Sequence, residues 1–149
     1  MTSPSENLKG GALNAAISNA VVRLLGEYVG RGPTKARTIH GGNFVLCVLE
    51  ETMTKAERSL VTGGYEDFVL RTRHALQHTM REDLMAAVEA LTHRKVAAFM
   101  SDNHIEPDFA AEIFVLDESL SGDSADRQGP ALSPACLGAS PGLGTTQGH

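Results

Sequence analysis

The chain has 149 residues, 42% apolar and 21% charged, which are the proportions of an ordinary globular domain able to build its own core. Its formal net charge is −5, with acids and bases interspersed along the chain. That balance argues against a general nucleic-acid binder, whose affinity comes largely from cations facing phosphates.

With no Trp, five Phe and two Tyr, the core has to rest on Leu, Val, Ile, Ala and Met. The N-terminal stretch 1–9 is polar and carries no apolar signal core. No window approaches the roughly 18 apolar residues that a membrane-spanning helix needs, so direct membrane insertion is not expected. Cys47 lies in an apolar run and Cys136 in a Gly/Pro/Ser-rich segment. Two isolated thiols suit a reducing compartment, and the chain reads as a soluble cytoplasmic protein.

Residues 1–6 read as frayed. From residue 7 to 29, Leu13, Ile17, Val21, Leu24 and Tyr28 recur in steps of three and four, the stripe of an amphipathic helix. Gly10 and Gly11 weaken its first turn, so the secure part starts near Ala12, and Gly30, Gly32 and Pro33 end it. A strand over 35–40 and a second over 43–51 flank Gly41-Gly42, a hairpin signal because glycine tolerates positive φ. The second strand, rich in Phe44, Val45, Leu46, Val48 and Leu49, would be sticky if left as a bare edge, which makes a homodimer plausible.

Thr54 with Glu57 three residues later is the capping-box spacing, opening a short helix to residue 61 that Gly63-Gly64 closes. A long helix follows over 65–93. Phe68, Leu76, Met80, Leu84, Val88 and Leu91 form its apolar side, and Arg71, Arg73, Arg81, Glu82 and Glu89 its solvated side. A third strand over 96–100 and a fourth over 109–116 enclose a polar loop, 101–108. In the fourth, Ala111, Ile113 and Val115 alternate with Ala110, Glu112 and Phe114. From Ser119 onward Gly, Pro, Ser, Ala and Thr dominate, a composition that cannot bury enough surface to offset chain entropy. The expectation is a folded domain over 7–118 and a disordered tail over 119–149. The order α-β-β-α-α-β-β gives an α+β fold, a two-layer arrangement with a four-stranded antiparallel sheet and helices on one face.

Two segments carry chemistry worth weighing. Arg31, Thr34, Lys35 and Arg37 surround a Gly/Pro turn, and guanidinium and ammonium groups so placed can grip a phosphate or carboxylate. The plainer reading is cations near the negative end of a helix. Asp102, Asn103, His104, Glu106 and Asp108 lie close together in the polar loop and suit a ligand or partner contact, a His-plus-carboxylate transition-metal site, or simply a capped hairpin turn, the plainest of the three. The calcium-loop frame, with its glycine at the sixth position, is absent. His74 and His78 stand one helical turn apart, but no third ligand is evident and a solvated face explains them. Cys47 reads as inert packing. No catalytic residues, metal or cofactor are expected.

Four segments taken together resemble the MpsC family. They are Ile17-Ser18-Asn19-Ala20-Val21-Val22-Arg23-Leu24, Gly30-Arg31-Gly32-Pro33-Thr34-Lys35-Ala36-Arg37, Leu49-Glu50-Glu51-Thr52-Met53-Thr54-Lys55-Ala56-Glu57 and Met100-Ser101-Asp102-Asn103-His104-Ile105-Glu106-Pro107-Asp108. The resemblance covers about residues 10–118. It implies a non-enzymatic accessory or regulatory protein of a sodium-translocating, membrane-potential-generating system, linked to ion or inorganic-carbon transport. Its partner would be a membrane transporter subunit. An anion- or small-ligand-binding module using residues 31–37 is the alternative.

Overall fold

A computed structural model describes residues 7–120. Its elements are α1 (Gly10–Val29), β1 (Lys35–Gly41), β2 (Phe44–Glu50), α2 (Lys55–Thr62), α3 (Glu66–Thr92), β3 (Val96–His104) and β4 (Phe109–Leu116). The α+β class and the order α-β-β-α-α-β-β agree with the sequence. The four strands form one antiparallel sheet in the order β1-β2-β4-β3.

The core lies between one sheet face and the helices. Leu13, Ile17, Val21 and Leu24 of α1 and Met80, Leu84 and Val88 of α3 pack on Val45, Cys47, Leu49, Phe114 and Leu116. Tyr28, at the end of the α1 stripe, is half-exposed and its hydroxyl donates to Asp83 Oδ2 of α3 at 2.5 Å. A smaller cluster of Met53, Val69 and Ile105 sits apart, with Leu60 and Val61 of α2 against it. No helix among the described residues is long and apolar enough to cross a membrane.

Two helix ends match their sequence signals. Gly30 caps α1 in the left-handed region at φ 82°, where a side chain is disfavoured. At α2, Glu57 N–H donates to Thr54 Oγ1 at 3.2 Å and Thr54 N–H to Glu57 Oε2 at 2.8 Å, the reciprocal capping box.

Several expectations are corrected. The first hairpin turns on Gly42 and Asn43, one residue later than the Gly41-Gly42 reading, because Gly41 pairs with Phe44. β2 is an interior strand, so its apolar run is not a bare edge. β3 continues to His104, which puts Asp102, Asn103 and His104 in a strand rather than a loop. Polar composition misled there: an edge strand accepts polar side chains, and β4 offers a full-length partner. On α3, Phe68 is exposed while Arg73 and Gln77 are buried, so the inward face of its first half is polar. The expected disordered tail lies outside the described residues beyond Leu120, whose N–H still donates to Gly42 O at 3.0 Å.

Candidate functional site

One end of the sheet gathers the start of β1, the ends of β2 and β3 and the start of β4. Lys35 pairs with Glu50, Glu50 with Phe109, and Phe109 with His104. The 51–54 segment leaves from this end, and Glu51 takes a left-handed conformation at φ 54°, a rare state for a residue with a side chain. Glu51 Oε2 accepts from Thr34 Oγ1, and Arg31 Nη1 donates to Met53 O at 2.6 Å. The two sequence-predicted segments therefore meet on the same loop.

Arg73 organises this end. It is 8% exposed and reaches from α3 into the loops. Its Nε and Nη2 donate to Glu57 Oε1 and Oε2 at 2.8 and 2.9 Å, a bidentate fork. Its Nη1 donates to Thr52 Oγ1 at 2.7 Å and Asn103 Oδ1 at 3.1 Å. Thr52 Oγ1 in turn donates to Asp108 Oδ1 at 2.7 Å, and Met53 N–H to Asp108 Oδ2 at 2.9 Å. Asn103 Nδ2 donates to Gln77 Oε1 at 3.1 Å.

Burial pushes the Glu57 carboxyl up, but Arg73, the Thr54 N–H and the Thr54 hydroxyl together hold it below its ordinary value. For Asp108 burial likewise works upward, and the Met53 and Thr52 donors with Arg73 bring it down. The network is thus a set of ionised groups satisfied by one another.

Beneath it lies a cavity of about 40 Å³, bordered by Arg31, Pro33, Thr52, Arg73, Asn103 and Glu112 among others. Glu112 is 1% exposed, in the centre of the sheet between Cys47 and Ser101 in register. Burial pushes its carboxyl up to about 7, with Ser101 pulling the other way. Even so, neither Glu112 oxygen nor Ser101 Oγ makes a full hydrogen bond.

The predicted site residues divide in two. Arg31, Thr34, Asn103 and Asp108 join the network. Lys35, Arg37, Asp102 and His104 stand on the opposite face of the sheet, so Arg31 does not converge with Lys35 and Arg37 on one point. Lys35 faces Glu50 at 3.5 Å. Asp102 accepts from Asn103 N–H at 2.8 Å, and His104 Nδ1–H donates to Pro107 O at 2.7 Å. Thr52, Arg73, Gln77 and Glu112 were missed as site residues. For Arg73 the available signal was its spacing of four from Val69 and Gln77 on the buried stripe.

His74 and His78 are exposed on α3. Among the described residues, no group of three or more His, Cys, Asp or Glu side chains is placed to hold a metal ion. Cys47 is buried and free, with its thiol pushed up by burial, while Cys136 lies outside the described residues.

Fold and site define a class first: a helix-backed antiparallel sheet whose chemically distinctive end is a loop pair clamped by a buried guanidinium. The chain belongs to the MpsC family, described as the Na+-translocating membrane potential-generating system (MpsC), whose family model matches residues 9–118. No curated protein and no solved structure gives a significant match.

Proposed function

We propose that the chain is a non-enzymatic accessory subunit of a Na+-translocating, membrane-potential-generating system, acting in the cytoplasm through contact with a membrane transporter subunit. The family description supports the system. The accessory role rests on one observation: the reactive groups at the loop end are engaged with each other. Arg73 is taken up by Glu57, Thr52 and Asn103, and Asp108 by Thr52 and Met53. Such a network holds loops in a fixed shape, as a docking surface requires, rather than leaving a nucleophile or base free to react. Arg31, Thr34 and Glu51 form the rim that a partner would meet.

Affinity purification of the tagged chain from solubilised membranes tests this. The wild-type chain should recover an integral membrane subunit, and Arg31→Ala or Thr34→Ala should reduce that recovery. Undiminished recovery would remove those residues from the contact, and no membrane subunit at all would retire the reading. The anion-binding alternative is less supported, since the three cations stand on two sides of the sheet.

A further inference from the structure

Among the described residues, the helices cover one face of the sheet and leave the other bare. On β4 the covered face carries Ala110, Glu112, Phe114 and Leu116, and the bare face Phe109, Ala111, Ile113 and Val115. The outward side of this central strand is therefore the wholly apolar one. In register across the sheet, Ile39, Leu46, Ile113 and Met100 form one outward row. Ile39 and Met100 are 50% and 51% exposed, and Phe44 beside them is 44% exposed. Monomers rarely leave such a contiguous patch to water.

The next row along the strands reads Arg37, Val48, Ala111, Asp102, with opposite charges at its two ends. The Arg37 guanidinium makes no ion pair or hydrogen bond among the described residues, whereas Asp102 accepts only from the neighbouring Asn103 N–H.

We propose that this face is the contact between two copies of the chain, related by a two-fold axis parallel to the strands. This goes beyond the accessory role and does not depend on it. The rotation reverses strand order, so β1 of one copy lies over β3 of the other at the same height. Arg37 then meets the partner's Asp102, twice per dimer. Ile39 meets the partner's Met100, Leu46 the partner's Ile113, and Phe44 the partner's Val115. An axis across the strands would put Arg37 over its own mate or over the apolar row, so the charges select the first arrangement. Four strands, the two shortest of seven residues, share a face of roughly 19 by 23 Å. That is small for a stable interface, so the dimer should dissociate in the micromolar range.

The test is sedimentation equilibrium of the full chain from about 1 to about 300 μM, a span chosen for an interface of this size. The wild type should be a dissociating dimer. Arg37→Asp or Asp102→Arg alone should weaken it roughly tenfold or more, since each turns two attractions into repulsions. The double variant R37D/D102R should restore association, which loss of folding could not do. A wild type monomeric throughout overturns the proposal, as does a dimer unmoved by either single change or not restored by the double.

Discussion

Glu112 is the residue whose environment departs furthest from the ordinary. Its carboxyl lies in the sheet centre without a full hydrogen bond, and burial raises it from 4.5 to about 7. A raised carboxyl stabilises the fold while the unfolded chain is also protonated. As pH climbs above 4.5 the unfolded chain releases its proton and the folded one does not. Stability therefore falls until about pH 7 and then levels, losing roughly 3 kcal/mol in total at about 1.4 kcal/mol for each step of one in pH. Glu57 and Asp108 act in the opposite sense, since their lowered values stabilise at neutral pH and that contribution is lost as pH drops through the acid range. Glu112→Gln should flatten the decline between about pH 5 and about pH 7 and leave the acid limb intact. Chemical denaturation across that range measures it. A variant with the same slope as wild type would mean that Glu112 is ionised in the folded chain.

At the scale of elements, two turns respond oppositely to small substitutions. Gly32 follows the α1 cap so closely that an added Cβ would stand 3.1 Å from Val22 O and 3.2 Å from Val22 Cγ1. The backbone oxygen cannot yield, so Gly32→Ala should cost about 1–3 kcal/mol. His93 ends α3 at φ 56°, a left-handed conformation that a side chain resists. His93→Gly should stabilise by about 1 kcal/mol. Paired thermal melts check both signs, and matching signs would refute the local account of at least one turn.

The end of α1 at Gly30 was legible in the sequence because capping depends on residues a few positions apart, whereas nothing in the sequence marked His93 as a left-handed cap. The stripe of α1 and the Thr54–Glu57 box were legible for the same reason. The last four residues of β3 were not, because polar side chains on an edge strand look like a loop until the partner strand is known. Nor was the loop-end network, whose donors and acceptors are far apart in sequence: Arg73 meets Thr52 and Asn103 only after α3 docks. Alternation along β4 was visible, but which face met the helices was not. The more apolar side turned out to be the bare one.

Across the whole molecule, stability is unevenly spread. The main core joins α1, α3 and all four strands, whereas α2 contributes no buried residue and rests on the small cluster around Met53, Val69 and Ile105. Two cations couple α2 to the body: Arg73, whose fork grips the same Glu57 carboxylate that accepts from Thr54 N–H in the capping box, and Arg58, whose Nη2 donates to Asp108 Oδ2 at 3.5 Å. The Arg73–Glu57 pair is largely removed from water, with side-chain exposures of 9% and 19%. Truncating one partner leaves the other charge poorly solvated, so Arg73→Met should cost roughly 3 kcal/mol. The loss should be local in its first effect. Segments with little apolar burial open independently of the core, so α2 and the loops at 51–54 and 105–108 should exchange amide hydrogens before β2, β4 and α3 in the wild type. In the variant that gap should widen, with peptides from Lys55–Thr62 speeding up most. Equal acceleration in β2 and β4 would show instead that Arg73 supports the whole core, and the loop end could then no longer be treated as a separately adjustable docking surface.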